Sequence, residues 1–259
     1  MRKGVLTVLG SGTSQGVPVI ACNCSTCKSK DPNDKRTRSS VLIEADHKNF
    51  VIDTGPDFRY QMLRENVQFL NAVIFTHEHK DHIAGLDDVR AFNHKQKIAI
   101  DVFASSEVEK ALKREYHYIF SEEKYPGIPQ ITIQNIGISP FKLSSNFELT
   151  PIQVKHYKMP VLGYRMGDLT YITDAKTIKH EELIKIKGTK TLIINALHTF
   201  PHISHFNLEE ALNFIEIINP KIAYLTHISH LFGNHQEIKK LLPHNVYPAY
   251  DGLKLNFNY

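Results

Sequence analysis

No apolar run in the 259-residue sequence approaches the ~18–20 residues that cross a bilayer, which argues against a membrane-embedded chain. The short apolar stretch Val5–Leu9 is too brief for a secretory core and lacks a small-residue cleavage site, so a cytoplasmic protein is expected. Cysteine is scarce as well. The three residues all fall within Cys22-Asn23-Cys24-Ser25-Thr26-Cys27, and an odd number so tightly spaced is a poor disulfide framework and a good start for a metal site. Long basic runs are missing too. Against 31 Lys+Arg stand 27 Asp+Glu, scattered in sign, so the formal charge of +4 makes no case for nucleic acid as a partner. With 42% hydrophobic residues and no repeat, low-complexity tract or linker, residues 1–259 are expected to form one domain, with 13–39 as a loop insertion.

Strand-like segments dominate the first two thirds. Val5–Leu9 leads into Gly10-Ser11-Gly12, after which Thr13 to Ser39 shows no periodicity. Ser40–Glu44 and Phe50–Asp53, joined by the polar Ala45–Asn49, suggest a hairpin, and Ala72–Phe75 a buried strand. Further strands are expected at Ile98–Ala104, Ile131–Ile136, Phe147–Val154, Leu162–Met166, Thr170–Thr173, Leu192–Asn195 and Lys221–Thr226. Helical spacing is seen in Phe58-Met62-Leu63, in Val108–Tyr116 behind Ser105/Ser106, and after Asn207-Leu208-Glu209-Glu210, a pattern like a capping box. The mixture fits two sheets flanked by helices better than one doubly wound sheet.

Fifteen histidines are many for this length, and they bunch at 77–82, 198–205 and 227–235. In an extended segment residues i and i+2 share a side, so His77 and His79 can grip one cation while Asp81 and His82 turn toward a second. A polar surface loop is the bland alternative, but it gives no reason for so many ligands directly behind Ala72–Phe75. Other ligand-type residues close strand-like runs at His156, Asp174 and His227. Each alone would be an ordinary polar residue; together, in this order, they point to a binuclear site.

Taken with Asp53, these positions resemble the five motifs of the metallo-β-lactamase superfamily, across nearly the whole chain. The resemblance implies an α/β fold: an αββα sandwich of two mixed β-sheets flanked by helices, with the metals at the strand ends. It implies two catalytic divalent ions, zinc or manganese, one taking His77, His79 and His156, the other Asp81, His82 and His227, with Asp174 bridging and Asp53 holding the histidine loop. A bridging carboxylate lowers the repulsion between ions about 3.5–4 Å apart, a pair suited to phosphate esters and unlike the β-lactamases themselves.

The cysteine cluster, with Gly10-Ser11-Gly12 and Gln15-Gly16-Val17-Pro18, is similar to the phosphoribosyl cyclic phosphate phosphodiesterases of bacterial phosphonate breakdown. In that group a Thr-His-Ile-Ser-His sequence like Thr226–His230 supplies the fourth ligand. The resemblance therefore implies a structural zinc on Cys22, Cys24, Cys27 and His230, three free buried cysteines being the alternative. It also implies a homodimer and a histidine before the Asn207 helix as general acid. His205 fits that role best and His202 remains open. Asp81 and Asp174 complete the catalytic set. The Gly10–Gly16 loop is read as a tight turn into the cysteine segment, since no helix follows to cradle a phosphate; Arg59 and Arg165 are weak candidates for substrate phosphate. The expected function is a metal-dependent phosphodiesterase acting on a small, nucleotide-like or cyclic phosphodiester. Thioester or lactone hydrolysis, or metal binding without catalysis, are the alternatives.

Overall fold

The computed structural model describes residues 1–123 and 125–259. The first sheet holds β1 (Lys3–Gly10), β2 (Ser40–Ala45), β3 (Lys48–Ile52), β4 (Ala72–Ile74), β5 (Ile100–Ala104) and β6 (Ile131–Asn135) side by side. The second is built from β7 (Phe141–Ser144), β8 (Phe147–His156), β9 (Met159–Met166), β10 (Leu169–Ile172), β11 (Thr177–Ile178), β12 (Thr191–Asn195), β13 (Ile222–Thr226) and β14 (Val246–Pro248). The chain then returns as β15 (Lys254–Asn258) to pair antiparallel with β1. Both sheets are mixed: β3, β4, β5 and β6 run parallel in one, and β10, β12, β13 and β14 in the other.

Nine α-helices are seen among the described residues: α1 (Ser25–Lys28), α2 (Phe58–Arg64), α3 (Lys80–Ile83), α4 (Arg90–Gln96), α5 (Ser106–Glu115), α6 (His117–Phe120), α7 (His180–Ile186), α8 (Leu208–Ile218) and α9 (His235–Leu241). None is long and apolar enough to cross a membrane.

Alternation along the strands sends one set of side chains between the sheets. Val8, Ile43, Phe50 and Ile52 of the first meet Phe147, Leu149, Tyr164 and Tyr171 of the second in one buried cluster. The opposite faces are capped by helices: Val51, Val73 and Val102 pack on Phe58, Phe92 and Leu112, and Ile152, Ile194 and Leu225 pack on Phe214 and Ile238. Helix, sheet, sheet, helix is the αββα order expected from the resemblance.

Local differences from the sequence reading have simple causes. The hairpin link is a turn of two residues, because Ala45 pairs with Lys48 and both Asp46 and His47 take left-handed backbone, the geometry that matches strand twist. Leu63 faces solvent although α2 forms as expected. The segment between Phe75 and Ile98, in which no helix was anticipated, carries α3 and α4. A second capping box, Asn234 with Glu237, starts α9. Thr13–Ser39 is mostly irregular, holding α1 and one 3₁₀ turn.

Candidate metal centre

The residues singled out as ligands sit where strands end. Asp53 follows β3, the 77–82 segment follows β4, His156 closes β8, Asp174 follows β10 and His227 follows β13. Open sheets with parallel strands place their ligand crevices at carboxyl ends for the same reason: the chain leaves the sheet there and its polar groups are free. Three of these positions, Asp53, Asp174 and His227, have φ of 65, 55 and 56°, a left-handed conformation that costs a residue with a Cβ about 1 kcal/mol or more. Such strain persists only where the surroundings fix it. Gly55 lets that packing close, since a Cβ there would lie 2.1 Å from the Asp81 carbonyl oxygen.

Asp53 organises the histidine segment. Its carboxylate accepts from the Thr76 amide at 2.9 Å and the Thr76 hydroxyl at 2.8 Å, and lies 2.7 Å from His82 Nδ1. Having donated to Asp53, the Thr76 oxygen accepts from His77 Nδ1 at 2.9 Å. His156 Nδ1 donates to the Ser204 carbonyl at 2.9 Å. In His77 and His156 Nδ1 is therefore the N–H and Nε2 keeps its lone pair, the tautomer that a metal requires, and in His82 the Nδ1–H is fixed toward Asp53.

The lone pairs converge. Ligand atoms of His77, His82 and Asp174 lie within 4.8 Å of one another, as do those of His156, Asp174 and His205. His79 joins the first side, its ring 4.7 Å from that of His77 and 5.1 Å from that of His156. Asp81 Oδ2 is 3.2 Å and Asp174 Oδ2 3.3 Å from His82 Nε2, and the same Asp174 oxygen is 3.3 Å from His227 Nδ1. Nonbonded oxygens and nitrogens at such spacings match neighbouring ligands of one ion held at ~2.0–2.2 Å.

The site's residues fit metal on two further counts. His77 Nε2 and His205 Nδ1 are buried without a hydrogen-bond partner, a costly arrangement unless something else engages them. Burial also pushes the pKa values of His77, His79 and His227 down, which keeps the rings neutral. His82 differs: burial opposes its charge, but Asp53, Asp174 and Asp81 outweigh that and hold its pKa well above the ordinary value.

His205 lies closer to the centre than its place before α8 required. Its Nδ1 is 3.7 Å from Asp174 Oδ1, its ring 4.4 Å from that of His156, and burial drives its pKa down to about 2. The His202 ring is 5.1 Å from that of His205 and His202 Nδ1 accepts from the Ser204 amide, so it stands one step farther out. His198 packs against Phe200 and His202. Arg165 spends its guanidinium on the carbonyls of Gly167, Lys185 and Lys187, and Arg59 is exposed on α2.

The second cluster is as compact. Ligand atoms of Cys22, Cys24, Cys27 and His230 fall within 4.8 Å of one another, with His230 Nδ1 3.3 Å from Cys22 Sγ and 3.5 Å from Cys24 Sγ. The Cys27 amide and His230 lower the pKa of the Cys24 thiol to about 6, favouring the thiolate that binds metal, whereas burial raises that of Cys27 to about 11. The glycine segment Gly10–Gly16 leads from β1 into this loop without a helix behind it.

Thr13 and Ser39 were not anticipated. Thr13 Oγ1 is 3.2 Å from His227 Nε2, and Ser39 Oγ is 3.1 Å from His227 Nδ1. Isolated hydroxyls this far from His227 in sequence carry no signal in composition or spacing.

Residues 48–228 match the family described as the Beta-lactamase superfamily domain. The chain is similar to the crystal structure of a diphosphatase from the PhnP family, at 37% identity over 98% of this chain and 97% of that one, with a TM-score of 0.92. It is also similar to Zn²⁺-bound PqqB from Methylobacterium extorquens, at 18% identity and a TM-score of 0.78 over 97% of this chain and 99% of that chain, a likeness of fold. A protein named Octanoyltransferase from Porphyromonas gingivalis (strain ATCC BAA-308 / W83) is 39% identical over 250 residues, 95% of this chain and 50% of that protein. The chain thus spans about half the length of that curated relative.

Proposed function

The chain belongs to the β-lactamase superfamily, in the company of the PhnP-family diphosphatase, and from that premise we propose that it is a binuclear metal-dependent phosphodiesterase acting on a small phosphodiester or nucleotide-like substrate. One observation carries the reading. The two oxygens of Asp174 face different partners, Oδ2 toward His82 and His227 and Oδ1 toward His205, on the side of His156. A carboxylate so shared suits two cations and not one.

His77, His79 and His156 would hold one ion, and Asp81, His82 and His227 the other, with Asp174 between them. When bound, two divalent ions, zinc or manganese, acidify a water at neutral pH and neutralise phosphoryl charge. Asp53 and Thr76 keep His77 and His82 in the ligand tautomer. His205 would stand at the edge of the centre to hand a proton to the leaving oxygen; in the protein alone burial drives its pKa down to about 2. The Cys22, Cys24, Cys27 and His230 cluster would hold a structural zinc.

The diphosphatase relative supports phosphate chemistry. The Octanoyltransferase relative favours a second reading, acyl-bond hydrolysis of a thioester by the same centre, although half of that protein lies outside the match. Turnover of bis(p-nitrophenyl) phosphate against a thioester panel, by the manganese- or zinc-loaded protein, separates the two. Exclusive thioester turnover would overturn the phosphodiesterase reading.

A further inference from the structure

We propose that Asn195, at the end of β12, is the positioning residue for Asp174: its side-chain amide pins the backbone on which the shared carboxylate stands. The inference rests on the binuclear reading above and adds to it a residue outside every ligand set.

In the second sheet β10 runs out into Asp174 and β13 into His227, whereas β12, which lies between them, ends on an amide. The pairing of β10 with β12 stops at Ile172 and Ile194. Beyond it Asp174 turns left-handed, and the side chain of Asn195 takes over from the backbone. Its Oδ1 accepts from the Ala175 amide at 2.8 Å and its Nδ2 donates to the Ala175 carbonyl at 2.9 Å, a donor and acceptor pair of the kind that a neighbouring strand supplies. The Ala175 N–H can only donate and its carbonyl only accept, so the amide has one orientation that serves both. Asn195 and Ala175 are closed to solvent, and water replaces neither bond.

The pinned residue is the direct neighbour of Asp174, whose φ of 55° persists only if the chain is held on both sides. Before it, Ile172 is in the ladder with β12; after it, Ala175 is in the grip of Asn195. The Thr173 hydroxyl donates to Asp174 Oδ2 at 2.6 Å and steadies the carboxylate itself. The Ala175 carbonyl also accepts from the Phe206 amide at 2.8 Å, and the Leu197 amide donates to the Phe206 carbonyl at 2.9 Å, which ties the segment of His205 to the same junction. The Ala196 amide donates to the Thr226 carbonyl at 3.0 Å, one residue before His227. Residues 195–197, none of them a ligand, thus bond to the backbone beside Asp174, His205 and His227.

The test is metal uptake, not turnover. Metal-free protein is titrated with Mn²⁺ by calorimetry, and with Co²⁺ followed by its visible absorption, for wild type, Asn195→Leu and Asn195→Ala. Val246→Ala, a truncation of a buried side chain on β14 of the same sheet, controls for lost packing. Outer partners of metal ligands contribute roughly 10–100-fold to affinity, and Asp174 is shared, so both Asn195 variants should weaken both catalytic ions by about that factor and alter the Co²⁺ spectrum. Val246→Ala should lose stability and keep the wild-type spectrum, which separates positioning from a merely structural role. Wild-type affinity and spectrum in both Asn195 variants, weakening of one ion alone, or the same spectral change in Val246→Ala would overturn the inference. Should neither Asn195 variant fold, hydrogen exchange of the metal-free wild type decides: an Ala175 amide as slow as those of β12 supports the pin, and one that exchanges at the rate of an open loop overturns it. A wild type that binds fewer than two catalytic ions would overturn the binuclear reading, and this inference with it.

Discussion

His82 Nδ1 lies 2.7 Å from Asp53 Oδ2, and neither side chain is exposed to any extent. Asp53→Asn keeps the shape but removes the charge that orients the ring. We expect the affinity of the ion on the His82 side to fall about 10–100-fold, and unfolding stability by about 3–5 kcal/mol, the usual cost of breaking a buried pair. Metal analysis after dialysis and urea denaturation measure both; wild-type values in each would contradict the role given to Asp53.

Asp174→Ala should weaken both catalytic ions and abolish phosphodiester turnover, because each oxygen of that carboxylate faces a different set of histidines. Metal content and turnover of bis(p-nitrophenyl) phosphate check this. A variant that kept both ions would remove Asp174 from its bridging place.

Metal uptake should release protons. Asp53, Asp174 and Asp81 raise the His82 pKa well above its ordinary value in the metal-free protein, so a proton held there must leave before Nε2 can accept an ion. Because that pKa is raised, apparent affinity rises with pH and levels off once the pKa is passed. Calorimetry in buffers of different ionisation enthalpy counts the protons, and a count of zero at pH 7 would show His82 already neutral.

Cys24→Ser should cost one zinc equivalent and lower the melting temperature by several degrees. The catalytic ions should stay, since Asp251 and Arg36 anchor the loop ends apart from the cysteines. Unchanged zinc content and melting temperature would mean that the four ligand atoms serve no ion.

For His205→Ala the leaving group decides. Positioned acids contribute ~10²–10⁴-fold, so a substrate with an alkoxide leaving group should slow by about that much and a nitrophenolate ester far less. Equal losses would make His205 structural, or a ligand through the nitrogen that lies 3.7 Å from Asp174.

Much of this centre could be read from the chain. The 77–82 segment announces itself because its ligands are adjacent, whereas His156, Asp174 and His227 are recognisable only as a set, each being unremarkable beside its strand. Two sheets flanked by helices follow from the mixture of strands and helices, and the αββα order from the family resemblance. Ser39 and Thr13 escaped because their contacts with His227 span 188 and 214 positions, and no local pattern encodes them. The 80–96 helices were missed for a different reason: ligand chemistry dominates the segment's start and hides its weak periodicity. In α9 the signal was present, as Asn234 and Glu237 form a capping box, but the run behind it is short.

The ligand-type residues come from both sheets: His77, His79, Asp81 and His82 lie between β4 and α4, and His156, Asp174 and His227 at strand ends of the second sheet. The His77–His82 segment precedes His227 by some 145 residues, so this set of ligand-type residues is complete only once the second sheet has formed beside the first. Any preference among cations would then belong to the assembled sandwich and not to any peptide within it.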